Sequence, residues 1–304
     1  MFDSAQLAAL AAIHRRGSFD LAAADLNVTA SAISQRIRAL EEAVGGLLIH
    51  RARPCAATAT GLRLIRHFDM LRLLEADLAR DLPLLSQAPG TLRIAVNADS
   101  LATWIIPALA ATPGYLFDLV IDDQDTSQHL LTRGEVAAAI TAHPGPLQGC
   151  DTVPLGALRY RATASPAYVA RWLPQGPTPA ALALAPMLTF SEQDRLQARW
   201  LARHTGLPEQ PLPPAHRIAS SQAFVEACQA GLGWCMNPDQ LVAGHLAAGR
   251  LVDLSPDHPL DTPLYWQFAR LTAQALAPLT DAIRRQAAIS LVPPPPAGAG
   301  RPVG

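Results

Sequence analysis

Residues 17–44 combine two helical patterns with a tight turn between them, and this feature constrains the fold of the chain most strongly. Ser18 is placed to cap the first pattern, whose small alanines allow a second helix to pack closely. The second pattern runs from Thr29 to about Ala43 and carries one apolar stripe at spacings of four, three and four residues. That stripe consists of Ile33, Ile37, Leu40 and Val44. The segment predicts a helix-turn-helix.

The face opposite the stripe carries short hydroxyls, an amide and a guanidinium, on Ser31, Ser34, Gln35 and Arg38. Such side chains can enter the major groove of DNA, where Gln suits adenine and Arg suits guanine. An ordinary solvated helix face has the same polarity, so this pattern alone leaves both interpretations open. Local charge favours DNA, because residues 28–66 hold six Arg against two acids while the whole chain has a net charge of −1.

A loop that contains Pro54 follows, and Arg51 and Arg53 flank it. Such a loop suits a wing that lies on phosphate or in the minor groove. The predicted DNA-binding residues are Ser18, Thr29, Ser31, Ser34, Gln35, Arg36, Arg38, Arg51 and Arg53.

One long amphipathic pattern runs from Thr58 to about Gln87 and closes at Ala88-Pro89-Gly90. A helix of this length between two domains commonly pairs with its twin in a dimer. Packing on its own domain is the alternative.

After Gly90 the sequence alternates strand and helix patterns, which predicts an α/β region. Strands are expected at 91–96, 117–122, 136–141, 160–164, 187–190, 217–220 and 264–270, with helices after Ser100, Thr126, Ser165, Ser221 and Thr272. The region is too long for one sheet of ordinary size, so we expect two lobes with chain crossings near Tyr160–Thr163 and Tyr265–Phe268. The tail, 293–304, is rich in Pro and Gly and is predicted to be disordered.

Polar residues follow the first strand of this region and open a helix. Exposed N–H groups there, with the Ser100 hydroxyl, would receive an anion such as a carboxylate. Asn97 belongs to the same segment. Asp99 is either a helix N-cap or a carboxylate that holds a cationic group of a ligand.

Two further strand ends carry candidate ligand-binding residues, since ligands of open α/β sheets sit beyond the carboxyl ends of strands. Asp122, Asp123 and Asp125 would favour a cationic ligand, although a solvated loop explains them as easily. Ser220 and Ser221 enter a helix and can hold a carboxylate.

Other classes of protein find little support in the sequence. We find no nucleophile elbow, glycine-rich phosphate loop or HExxH motif, and no Cys/His cluster with ligand spacing, so no catalytic or metal-binding residue is predicted. A transport binding protein would need a signal peptide, whereas Asp3 follows Met1 closely. No apolar stretch is long enough to span a membrane. A cytoplasmic protein is expected.

At its N-terminus the chain resembles the LysR-type transcriptional regulators. The resemblance rests on Ser18-Phe19, Ala22-Ala23, Leu26, residues 31–41, Gly45, Leu48, Arg51, Thr58 and Thr60-Gly61. It implies an all-α winged helix-turn-helix (1–57), a linker helix that dimerises (58–89), and a two-lobed α/β effector domain like a periplasmic binding protein (90–292). Lobe I would comprise about 90–161 and 267–292, and lobe II about 162–266.

Segments of the α/β region resemble the ArgP/LysG branch of that family. They are residues 97–104, 154–160, 220–225, 231–234 and 263–267. The resemblance implies L-lysine or L-arginine as effector, control of amino-acid export genes and no cofactor. It also implies double-stranded DNA and RNA polymerase as partners and a homodimer or homotetramer. A LysR-type regulator with a different effector is the alternative.

Overall fold

The computed structural model describes residues 2–81, 90–121, 127–145, 147–206 and 212–293. The elements of its N-terminal part are α1 (Ser4–Arg16), α2 (Phe19–Asp25), α3 (Ala30–Val44), β1 (Ile49–His50), β2 (Ala56–Ala57) and α4 (Ala59–Asp81).

The helix-turn-helix forms where the sequence predicts it. Thr29 is the N-cap of α3 and its hydroxyl accepts a hydrogen bond from the Ala32 amide at 3.2 Å. Ile33, Ile37 and Leu40 are completely buried against α1 and α2. Ser18 occupies the N-cap position of α2, as predicted, although its side chain makes no capping hydrogen bond.

The N-terminal part is not purely helical, because β1 and β2 pair antiparallel as a small hairpin, the wing. Three contacts fix the residues directly next to its two strands. The Cys55 amide donates to the Gly17 carbonyl at 2.8 Å, and the Leu48 amide donates to Glu41 at 2.8 Å. Gly61 packs against Leu48 as well, and a Cβ at position 61 would lie 2.3 Å from the Leu48 carbonyl oxygen.

The two halves of helix α4 pack against different parts of the protein. Its first half buries Leu64, Ile65 and Phe68 in the core of the helix-turn-helix, whereas Leu73 belongs to the core of the α/β region. On the second half Leu71, Leu74 and Leu78 are 39%, 41% and 58% exposed. Packing on its own domain therefore accounts for the first half of the helix and leaves an apolar face open on the second. The predicted end of the helix lies outside the described residues.

Strands and helices alternate in the α/β region, as predicted. In chain order its elements are β3 (Gly90–Val96), α5 (Ala98–Thr103), α6 (Ile105–Ala110), β4 (Tyr115–Ile121), α7 (Ser127–Arg133), β5 (Ala138–Thr141), β6 (Cys150–Ala164), α8 (Pro166–Trp172), α9 (Pro179–Leu184), β7 (Met187–Thr189), α10 (Leu196–Thr205), β8 (Ala215–Arg217), α11 (Ser221–Gln229), β9 (Cys235–Pro238), α12 (Asp239–Ala247), β10 (Val252–Asp253), β11 (Leu260–Ala269) and α13 (Ala277–Ser290).

Strands β7 and β8 form a two-stranded parallel sheet of their own, and the other strands of the region form one continuous main sheet. Within the described ranges seven strands join it in the order β10-β6-β11-β5-β3-β4, with β9 also on β6. The reason is the length of β6, which pairs with β11 over its first part and with β9 and β10 over its last. Tyr160 is the crossing point, because it faces both Leu260 and Pro238. Tyr265–Phe268, where the other chain crossing is predicted, pair with β5 on one side and with β6 on the other.

Several elements have no counterpart among the predicted ones, namely α6, α9, α10, α12, β9 and β10. Strands β3 and β4 are parallel, so their carboxyl ends meet at one edge of the sheet. None of the helices in the described ranges combines the length and apolarity needed to cross a bilayer. The predicted disordered tail, apart from Pro293, lies outside the described residues.

Candidate functional site: a charged cleft and a basic helix-turn-helix

A cleft of about 390 Å³ opens at the carboxyl ends of β3 and β4. Asn97 and Ile121 come from these two strand ends, and α10 and α11 supply the opposite wall. Among the described lining residues the charged ones are Asp99, Asp194, Arg195 and Arg199. The cleft therefore offers both carboxylates and guanidinium groups to one ligand.

Asp99 joins three parts of the α/β region. One carboxylate oxygen accepts a hydrogen bond from the Tyr160 hydroxyl at 2.8 Å, and the other accepts one from the Ser221 hydroxyl at 2.7 Å. Asn97 occupies the N-cap position of α5, and Asp99 lies in the first turn. The N-cap interpretation of Asp99 is therefore wrong.

Tyr160 is completely buried at the base of the cleft. Burial raises its pKa well above the ordinary value, and the charge of Asp99 and the hydrogen bond to it act in the same direction. The charge of Arg199 acts in the opposite direction. The phenol therefore stays a hydrogen-bond donor to Asp99.

Asp194 organises the other charged wall. Its carboxylate accepts hydrogen bonds from the backbone amides of Phe190 at 2.9 Å and Leu196 at 3.0 Å. These bonds fix the loop that enters α10, and they place Arg195 and Arg199 one helical turn apart. No helix is predicted there from the sequence, so this wall is absent from the predicted site. The spacing of an Asp before two arginines at i and i+4 is the signal that would have found it.

The predicted ligand-binding residues separate into three groups. Asn97, Asp99 and Ser221 line the cleft. Ser100 is completely buried and Ser220 is exposed, where its hydroxyl accepts a hydrogen bond from the Ala223 amide and caps α11. Neither serine is part of the lining. The remaining predicted residues, Asp122, Asp123 and Asp125, lie outside the described residues.

The predicted DNA-binding residues lie on α3, its N-cap, the start of α2 and the wing. Thr29, Ser31, Gln35, Arg38, Arg51 and Arg53 are exposed, and Ser18, Ser34 and Arg36 are half-buried. The Arg51 guanidinium lies 5.3 Å from the centre of the Phe19 ring, a cation–π contact that ties the wing to α2. All nine residues therefore belong to one structural unit with a basic surface.

A winged helix-turn-helix joined by a long helix to an α/β unit with a charged cleft defines a one-component transcriptional regulator. The chain belongs to the LysR family. Residues 4–62 match the bacterial regulatory helix-turn-helix protein, lysR family, and residues 86–288 match the LysR substrate binding domain. The expectations of a LysR-type fold and of a DNA-binding regulator are thereby confirmed.

The resemblance to the ArgP/LysG branch is confirmed by similar proteins. The chain is 42% identical to the transcriptional regulator ArgP of Pseudomonas aeruginosa over 96% of this chain and 98% of that protein. The crystal structure of ArgP from Mycobacterium tuberculosis is similar with a TM-score of 0.82, at 40% identity over 97% of this chain and 100% of that one. Full-length LysG from Corynebacterium glutamicum with bound effector Arg has a TM-score of 0.68, at 35% identity over 96% of this chain and 100% of that one.

We predict that Tyr160→Phe leaves the alkaline absorbance titration of the folded protein unchanged up to about pH 10.5, because Tyr160 keeps its proton there. Absorbance of tyrosinate at increasing pH measures this. In denaturant the same variant should lose one of the four tyrosine ionisations. A smaller amplitude for the folded variant than for the folded wild type would show that Tyr160 ionises normally.

Proposed function

We propose that this regulator senses lysine or arginine in the cleft and controls genes of basic amino-acid export. The observation that carries the proposal is the charge pattern of the cleft, where Asp99 and Asp194 stand with Arg195 and Arg199. A basic amino acid carries one carboxylate and two cationic groups, and each needs an opposing charge when water is removed. The bound effector Arg of the similar LysG supports this choice. A different effector remains the second candidate.

The charged walls define a binding mode that differs from the one expected from the sequence. The α-carboxylate pairs with the guanidinium groups of Arg195 and Arg199, which suit a carboxylate better than the buried Ser100 does. Asp99 receives a cationic group of the ligand while it keeps its bonds to Tyr160 and Ser221. The second cationic group is neutralised by Asp194 or by the acids at 122–125.

The cleft separates two lobes in this proposal, in the manner of a periplasmic binding protein. Lobe I comprises about 90–161 and 267–292, and lobe II comprises about 162–266, with 1–57 as the DNA-binding domain and 58–89 as the linker. The hydrogen bond between Asp99 and Ser221 spans the two lobes. An effector that binds one lobe arrangement better than another shifts the population toward it.

On DNA, we propose that α3 lies in the major groove with Ser34, Gln35 and Arg38 toward base edges. Arg51 and Arg53 contact phosphates or the minor groove, and Ser18, Thr29, Ser31 and Arg36 contribute further contacts. A homodimer, or a homotetramer built from two dimers, places two recognition helices on one palindromic site. Regulation then involves RNA polymerase, and the protein acts in the cytoplasm, where DNA is.

For DNA recognition, Arg38→Ala should cost about 1–3 kcal/mol at the cognate site and relax its specificity. Arg53→Ala should weaken binding to all sequences alike. The slope of the logarithm of DNA affinity against the logarithm of salt concentration should become shallower by about one. Mobility shifts with cognate and scrambled duplexes at several salt concentrations measure both effects. The same sequence-independent loss in both variants would mean that the recognition face is assigned wrongly.

For the effector, Asp99→Asn should lower the affinity for lysine or arginine at least about tenfold, or about 1.4 kcal/mol. The substitution keeps the size and most hydrogen bonding of the side chain and removes its charge. Isothermal titration measures the affinity, and citrulline, which has the shape of arginine but a neutral side chain, should bind poorly to the wild type. Asp257→Asn on the exposed surface is the matched control. Unchanged arginine affinity in Asp99→Asn would refute this role.

For assembly, Leu74→Asp should convert the dimer into a monomer, because it places a charge on the open apolar face of α4. Sedimentation of the full-length protein at micromolar concentration measures the change. Leu184→Asp, at a 71% exposed leucine of α9, is the control. A wild-type protein that sediments as a monomer would contradict pairing through α4.

A further inference from the structure

Arg66 connects α4 to the α/β region. Its Nη2 atom donates a hydrogen bond to the backbone carbonyl of Thr132 at 3.0 Å. Thr132 lies in the last turn of α7, where the helix dipole favours a cation. The side chain of a residue in the linker helix therefore serves as the cap of a helix in the other unit.

The chain turns at Gly134 in a way that makes room for Arg66. Gly134 has a φ of +66°, and a Cβ at this position would lie 1.6 Å from the Nε atom of Arg66. The guanidinium thus lies directly against the glycine backbone. It fills the space that a side chain at position 134 would occupy, and we call this space the seat of Arg66. Burial in this seat lowers the pKa of Arg66, and the charge of Arg63 lowers it further.

Described residues also connect this seat with the cleft. Leu131 of α7 is buried and packs against Ala95 in β3. Asn97, two residues after Ala95 and just beyond the end of β3, lines the cleft. A shift of the end of β3 on ligand binding would therefore be transmitted to α7 by direct packing.

The other side of α4 is tied to the helix-turn-helix. Asp69, three residues after Arg66, forms an ion pair with Arg15 of α1. Leu64, Ile65 and Phe68 belong to the same core as the recognition helix. Movement of Arg66 relative to α7 would therefore move the DNA-binding unit as well.

We propose that Arg66 and the turn at Gly134 form the joint through which the effector domain sets the position of the DNA-binding domain. The proposal rests on the proposed function, in which an amino acid changes DNA binding. It adds the residues that carry the coupling between the two sites.

Arg66→Met tests the joint, because it keeps the apolar stem and removes the charge and the donors. Hydrogen exchange of the full-length protein without ligand should become faster in α4 and α7. Arg72→Met, on an exposed arginine of the same helix, should exchange like the wild type. Gly134→Ala leaves Arg66 intact and fills its seat, so the same increase is expected. Exchange equal to that of the wild type in both Arg66→Met and Gly134→Ala would overturn the joint.

A second measurement tests the coupling. The DNA probe is a site that the wild-type protein selects from a random-sequence pool, and its Kd is measured with and without lysine or arginine. In Arg66→Met the ratio of the DNA Kd with the amino acid to the DNA Kd without it should be at least about threefold closer to one than in the wild type. The Kd for the amino acid itself should stay within about twofold of the wild-type value. A full wild-type ratio in Arg66→Met would refute the coupling role. If the wild type itself responds to neither amino acid, the proposed function fails, and hydrogen exchange still decides whether the joint exists.

Discussion

The carboxylate of Asp99 is the group on which the arrangement of the cleft depends. A charged group inside a cleft needs hydrogen-bond donors, or its desolvation destabilises the fold. Here the donors come from Tyr160 on the crossing strand β6 and from Ser221 at the start of α11. The same bonds that satisfy the carboxylate therefore hold two walls of the cleft at a set separation. Both of these donors are neutral hydroxyls, so neither bond neutralises the charge of the carboxylate.

The local parts of the fold could be predicted from the sequence, and the distant parts could not. The apolar stripe of α3 and the cap at Thr29 depend on neighbours in the chain, so their pattern is readable. Strand β9 has only four residues, and it forms because β6 extends far enough to pair with it. This strand depends on a partner 76 residues away in sequence, Arg161 opposite Asn237, and no local pattern indicates that pairing.

The candidate site shows the same division. Asp99 and Ser221 were found because each lies at a strand end that opens a helix, a position that is visible in one segment. Tyr160 was predicted only as part of a chain crossing, since its role as a donor depends on a carboxylate 61 residues away. The anion-binding role of Ser100 stays a prediction. Ser100 lies in the first turn of α5, where it is completely buried and is not part of the cleft lining.

Helix α4 gives the chain a means to join two units that have separate cores. Its apolar residues Leu64, Ile65 and Phe68 stabilise the helix-turn-helix, and Leu73 contacts the α/β region. A third set, Leu71, Leu74 and Leu78, is exposed to solvent. A helix that belonged to only one core could tilt freely relative to the other unit, and a signal from the cleft would be lost. Anchoring on both sides removes that freedom, since a rigid helix transmits a rotation along its whole length. The open leucines then add a constraint, because a second copy paired along the same helix would convert such a rotation into a change in the distance between two recognition helices.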